Sequence, residues 1–387
     1  VIDGKLNDNI WKEAAPFSGF KMVEPTPGSE PTEKTEVRII YDHDNLYIGI
    51  RCFDREPGKI AANTMEHDKS EERNGDQVSI LLDPFQDKRS AYLFIINPKG
   101  ARSEGFANGG EHYSLGWDGI WEAKSRIDQE GWTAEIRIPF KTLSFNAKLT
   151  SWGINFERYI ARKQEIIRFS GISLNSFFSN PNEAGLVDGI DNVKQGLGIT
   201  FRPYGIASIN ANRSDTGSVS SKLDGGFDIY KNITPNLVAA ITYNTDFAET
   251  EVDERKLNLT RFPLFYPEKR TFFLEGSDIF DFAGGSTKLF IPFFSRRIGL
   301  NEGTPVPIHW GTKIFGKVEN TNIAALDVQT RPLGLIPSQN MFASRISQNI
   351  LEESKVGILA TNGSPSGEKN TLIGADFTYK TSKFMGS

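Results

Sequence analysis

Sulfur is scarce in this chain of 387 residues, which holds one cysteine and four methionines. A single Cys52 excludes an intramolecular disulfide framework and a multi-cysteine zinc site, and its place in the run LYIGIRCF reads as a small core residue. The four histidines, His43, His67, His112 and His309, show no paired metal-binding spacing, and no G-x-S-x-G, Walker or dinucleotide glycine motif occurs. No nucleophile is seen with a base, so the sequence leans away from an enzyme. A carboxylate pair for glycoside cleavage stays open, because its spacing of about 5 to 9.5 Å is a three-dimensional property. No apolar run reaches the ~18 residues of a membrane-spanning helix, but strands of ~10 alternating residues would pass that test unseen. Positive charge is not in excess either. With a net charge of -5 and no basic patch, nucleic acid is not an expected partner. The chain begins at Val1 without a signal peptide, as expected of a mature or trimmed form.

Glycine and phenylalanine are plentiful, at 36 and 28 residues, and turn pairs such as Gly109-Gly110 and Asn362-Gly363 punctuate alternating runs. This predicts an all-β chain, and its length predicts two domains. In the first half a short opening strand precedes a helical turn capped by Asn7 or Asp8 and carrying Trp11 as a core anchor. Glu36 to Tyr41 and Asn45 to Phe53 form a hairpin in which Leu46, Ile48 and Ile50 share one face. Further strands are expected at Gln77 to Leu82, Ala91 to Asn97, Trp121 to Ile127, Trp132 to Pro139 and Trp152 to Ile160. Many short antiparallel strands separated by turns indicate a β-sandwich.

The blocks IDGKLNDNIW, VRIIYDHDNLYIGI, GDQVSILLD, GWTAEIRIPFKTL and WGINFERYI, in that order, resemble the family 9 carbohydrate-binding module over about Val1 to Gly171. The resemblance implies a sandwich that binds sugar ends between aromatic platforms, often with structural calcium. Sugar-binding members carry a tryptophan before the acidic strand; here Arg73 and Asn74 hold that place, ahead of Asp76. The other aromatic candidates are Trp117 and Trp121 in GWDGIWEA. A sugar site needs flat apolar faces and a few oriented polar groups, and Arg73, Asn74, Asp76, Trp117, Asp118 and Trp121 have those chemistries; packing explains both tryptophans as well. For calcium, Asp42, Asp44, Asp54 and Asp83 offer hard oxygens without an EF-hand spacing, and turn formation accounts equally for Asp42 and Asp44.

Residues 172–195 are turn-rich and read as a linker. From Gly196 onward the alternation lengthens: Leu197 to Ala211, Leu237 to Phe247, Thr312 to Glu319, Asn322 to Thr330 and Leu372 to Lys380 each set an apolar row against a polar one. Such runs approach the ~9 to 11 residues that cross a bilayer at a tilt, and aromatics near their ends fit an interfacial girdle. Thr245 to Phe282 interrupts them with a charge run, Glu251, Asp253, Glu254 and Arg255, and then Glu268, Lys269, Arg270 and Glu275 among Phe265, Tyr266, Phe272 and Phe273. So long a loop, rich in aromatics, is expected to be ordered.

TDFAETEVDERKLNLTRFPLFYPEKRTFFLEGSDIFDF with FFSRRIG after it resembles domain of unknown function 5916. The resemblance implies a barrel-like module placed after a family 9-like domain in envelope proteins of Bacteroidetes type. The resulting expectation is an N-terminal antiparallel β-sandwich (1–171) and part of a transmembrane-type β-barrel (196–387), with an ordered insertion at 246–282. Only about nine strand candidates come after Gly196, and an open barrel edge is not viable in lipid, so the chain is expected to be a fragment. Arg255, Arg270 and Glu275 are then lumen or plug residues, since their charges cannot face hydrocarbon. The expected role is capture or uptake of a glycan or glycoconjugate at the outer membrane of a Gram-negative cell, in contact with lipid and with envelope proteins. The alternatives are a degenerate sandwich that binds protein partners and a glycan hydrolase.

Overall fold

The structure, a computed structural model, describes residues 1–68, 75–108, 113–115, 117–174, 176–194, 196–211, 219–234, 236–245, 268, 270–283, 291–301, 304–318, 320–351, 354–364, 370–380 and 385–386. The chain divides into two compact units, Val1–Leu197 and Gly198–Ser387.

In the first unit, strands β1 (Lys21–Glu24), β2 (Thr35–Tyr41), β3 (Asn45–Phe53), β4 (Gln77–Asp83), β5 (Ser90–Ile96), β6 (Arg102–Asn108), β7 (Tyr113–Ser114), β8 (Glu122–Asp128), β9 (Gly131–Pro139), β10 (Ser151–Ile160), β11 (Glu165–Arg168) and β12 (Gly185–Asp188) form two antiparallel sheets. One runs β2-β3-β9-β8; the other runs β1-β11-β10-β4-β5-β6-β7, with β12 pairing the start of β10 on the edge it shares with β11. Leu46, Ile48 and Ile50 of β3 and Ile136 and Ile138 of β9 meet Ile80 and Leu82 of β4, Phe94 of β5 and Trp152 and Phe156 of β10 in one buried cluster that also contains Cys52. Period-two alternation puts these residues on the facing sides of the sheets, which makes the unit a sandwich.

Three sequence expectations change here. Residues 1–8 form no strand: the N–H groups of Asp3 and Gly4 donate to Glu135 Oε2, and Trp11, on the helical turn Asn9–Glu13, donates its indole N–H to Glu135 Oε1 at 3.0 Å. Trp11 is buried, but on the outer face of the four-stranded sheet, over Gly49, where a Cβ would come within 2.8 Å of Leu6. Strand β6 was not expected; RSEGFAN lacks an apolar alternation. The segment 172–195 is part of the sandwich, with β12 paired to β10, Ile190 in the core, and Arg168 donating to the carbonyls of Gly171 and Ser176.

The second unit is a nine-stranded antiparallel sheet of nearest neighbours, β13 (Ile199–Ala211), β14 (Val219–Thr234), β15 (Leu237–Tyr243), β18 (Ile308–Val318), β19 (Thr321–Thr330), β20 (Asn340–Ile350), β21 (Ser354–Asn362), β22 (Thr371–Lys380) and β23 (Met385–Gly386), beside a two-residue hairpin of β16 (Leu300–Asn301) and β17 (Thr304–Pro305). Among the described residues β13 and β23 do not pair. One face is apolar and open: Ile323, Ile346, Ile358 and Ala375 are cross-strand neighbours, and Ile346 and Ile358 are 56% and 59% exposed. Phe227, Tyr243 and Trp310 form a second such row, the first two stacked at 5.7 Å. The opposite face buries Thr242, Lys313, Arg345 and Thr378 beside a smaller apolar cluster of Leu326, Val328 and Met341.

The described part of the insertion, residues 268 and 270–282, docks on that second face, and 246–267 lie outside the described residues. Its short helix, Thr271–Leu274, places Phe272 and Phe273 in the cluster, and Lys313 Nζ donates to the carbonyls of Phe272, Phe273 and Glu275 at the helix end. Arg345 grips Asp376 through two bonds, 2.5 and 2.8 Å, over Gly357, where a Cβ would come within 2.8 Å of the guanidinium.

Candidate functional site

Strand β6 alternates its side chains between the core and the outer face of its sheet. Phe106 packs edge to face on Tyr92, so Arg102 and Glu104 share the core-facing side with it. Glu104 pairs across the strands with Phe94, and Trp121, just before β8, lies against Phe94 with ring centroids 5.1 Å apart. Burial of the indole requires a partner for its N–H, and Trp121 Nε1 donates to Glu104 Oε2 at 2.9 Å. Arg102 sits over the Trp121 ring at 5.4 Å and donates to the Trp121 carbonyl. Trp121 is therefore held on every side and offers no open face, with 4% exposure.

Trp117 is half-buried. It leans on Tyr92 and Phe94 at 4.6 and 5.8 Å, and Asp118 next to it is exposed. From the loop before β4, His67 approaches the same place: its Nε2 lies 3.1 Å from Glu104 Oε2 and its Nδ1 3.2 Å from Asp68 Oδ2. The Asp68 N–H donates to the Arg102 carbonyl, which anchors that loop to β6. Burial pushes the carboxyls of Glu104 and Asp68 above their ordinary values, and the charge of Asp118 adds to both shifts.

Of the residues selected from sequence, Trp117, Asp118 and Trp121 are thus brought together. Asp76 stands apart: Oδ1 accepts from the N–H groups of Ala161 and Ala61, which ties the entry of β4 to the turn after β10, and burial raises its pKa. Arg73 and Asn74 lie outside the described residues, as does Arg255 of the insertion. Arg270 is buried, bonded to Glu268 and to the carbonyls of Ser295 and Ile298, and stacked 4.1 Å over Phe273. Glu275 accepts from Arg202 at 2.9 Å. The four aspartates considered for calcium are not collected into one group. Asp42 accepts turn N–H groups of Asp44 and Asn45, Asp54 holds Arg162, and Asp83 accepts from Phe85 and Lys88. Sequence reasoning missed Asp68 and Glu104 and gave His67 no partner. The adjacent pair His67-Asp68 was the only available signal, because Glu104 belongs to the strand without alternation.

These features define an antiparallel all-β protein whose first unit is a sandwich carrying a mixed aromatic and polar cluster at β6. Residues 2–188 match the sequence model of the family described as carbohydrate family 9 binding domain-like, and residues 196–323 match a domain of unknown function, DUF5916. The two matches follow one another along the chain in that order. Among solved structures, a carbohydrate binding module family 9 from Caldicellulosiruptor kristjanssonii in complex with cellotriose is 17% identical, with 49% of this chain and 88% of that chain covered and a TM-score of 0.35. The same organism's family 9 module in complex with glucose is 17% identical, with 49% and 90% covered and a TM-score of 0.36. A putative carbohydrate-binding protein from Bacteroides uniformis ATCC 8492 is 14% identical, with 46% and 87% covered and a TM-score of 0.36. No curated protein matches the chain.

Proposed function

We propose that the first unit binds carbohydrate and that the second is part of an outer-membrane β-barrel, so that the protein captures glycans or glycoconjugates at the cell envelope. The carbohydrate half rests on the family match over residues 2–188. Trp117 supplies the stacking surface, with Asp118 beside it for hydroxyl groups, as flat apolar faces and oriented polar atoms are what a sugar ring requires. Trp121 positions the site from beneath rather than touching the ligand. The membrane half is supported by the inverted surface of the second sheet, where Ile346, Ile358 and Ile373 point out and Lys313 and Arg345 are buried. A sheet in water prefers the reverse, whereas a strand crossing lipid puts its apolar row outward.

The test is a glycan array with the full chain in detergent, then calorimetry with any sugar that binds. Trp117→Ala is expected to weaken binding about tenfold or more, a loss of ~1.4 kcal/mol per factor of ten. Silence across neutral and charged glycans would overturn the carbohydrate reading in favour of a scaffold for protein partners.

A further inference from the structure

His67, Asp68 and Glu104 each bring one donor atom to within 4.8 Å of the other two. Two observations separate this group from an ordinary surface ion pair. Asp68 Oδ1 is buried and has no hydrogen-bond partner among the described residues. Glu104 is 2% exposed, and its Oε2 lies within hydrogen-bond reach of both the Trp121 indole N–H and His67 Nε2. A buried carboxylate oxygen without a donor costs about 1–3 kcal/mol or more, so a folded protein is expected to give it a partner.

The charges point the same way. Asp68, Glu104 and Asp118 are close enough to act on one another, and the single imidazole among them carries at most one positive charge. Arg102 is committed to the Trp121 carbonyl and ring. Among the described residues the cluster is short of positive charge.

We propose that His67, Asp68 and Glu104 form a mononuclear site for a borderline divalent cation such as Zn²⁺. A mixed imidazole and carboxylate donor set favours this class over Ca²⁺ and Mg²⁺, which take oxygen ligands, and no thiolate is involved because Cys52 lies in the core. Bonds of about 2.0–2.2 Å in a tetrahedral site put neighbouring ligand atoms roughly 3.3–3.5 Å apart. The separation of 3.1 Å between His67 Nε2 and Glu104 Oε2 is already near that, and the partly exposed Asp68 side chain has room to turn. The Trp121 N–H donates to Glu104 and so orients that ligand. Three protein ligands leave a further position for water or another ligand. The site does not depend on the carbohydrate reading, and sugar binding is not its readout.

The experiment titrates the full chain, freed of metal with a chelator, with Zn²⁺ and with Co²⁺ at about pH 7.5. One equivalent is expected to bind, with visible Co²⁺ absorption bands that excess Zn²⁺ removes. His67→Ala and Glu104→Gln should each weaken binding at least roughly tenfold. Glu104→Gln keeps an acceptor for the Trp121 N–H, so an unchanged circular dichroism spectrum and Tm would show that its loss of metal is local. His43→Ala, which removes an exposed histidine elsewhere on the same unit, should leave binding unchanged. No saturable binding below about 1 mM would overturn the proposal. So would stoichiometric binding that survives both His67→Ala and Glu104→Gln.

Discussion

Asp83 closes β4 beneath the turn to β5, and its environment makes it the residue with the clearest effect on stability against pH. Burial, and after it the charge of Asp87, pushes its pKa to about 6 from an ordinary 3.8, despite N–H donors from Phe85, Asp87 and Lys88. A carboxyl whose pKa is raised by folding binds more protons in the folded chain than in the unfolded one between those values, so its contribution falls as pH rises from 4 to 6. The expected penalty above that window is on the order of 2–3 kcal/mol. Asp83→Asn keeps an acceptor and removes the charge. Its stability relative to the parent should therefore rise by about that amount between pH 4 and pH 7, measured by denaturant unfolding of the full chain. A difference that stays constant with pH would show that Asp83 titrates normally.

Glu135 does for an element what Asp83 does for a turn. It sits in mid-strand on β9, buried, on the face opposite the core, where charge is normally excluded. Its two oxygens take three donors from the N-terminal segment, the N–H groups of Asp3 and Gly4 and the Trp11 indole, and so clamp the whole of 1–13 across the sheet. Glu135→Ala leaves two buried donors, the Gly4 N–H and the Trp11 indole, and the part-buried Asp3 N–H unmet, and is expected to cost about 3 kcal/mol or more. The segment should then be released, with proteolysis near its Lys5 and Lys12 at protease levels that spare the parent. Unchanged cleavage and unchanged stability would mean that Trp11 packing alone holds it. The insertion in the second unit is fastened by the same principle. Arg270 bonds the carbonyls of Ser295 and Ile298, and Lys313 those of Phe272, Phe273 and Glu275.

At the scale of the molecule, the inverted second sheet predicts dependence on a detergent or lipid surface. Ile358 lies at the centre of β21, on the exposed row with Ile346 and Ala375. Ile358→Lys should impair folding into vesicles by ~2–4 kcal/mol, the cost of a basic residue near the bilayer midplane. Ser347→Lys, on the buried polar face, serves as the comparison: it should reduce packing without changing which vesicles are bound. A full chain that is monodisperse in buffer without detergent, with Ile358→Lys silent, would overturn the membrane reading.

By itself the sequence determined the features that period two and turn chemistry dictate. Leu46, Ile48 and Ile50 alternate with polar neighbours, so the hairpin and its core face were legible before any contact was known. The same held for the paired rows of the second unit, because alternation marks a strand wherever its two sides meet different surroundings. What period two does not carry is which row faces in. In the second unit only the tertiary structure decided that, by laying Phe272 and Phe273 against the face that holds Lys313. Contacts distant in sequence were equally silent: Glu135 meets Trp11 across 124 positions, and Glu104 meets His67 across 37. In β6 both faces of the strand are covered, so RSEGFAN shows no alternation, and Glu104 could be recognised only once Trp121 and His67 had been folded onto it.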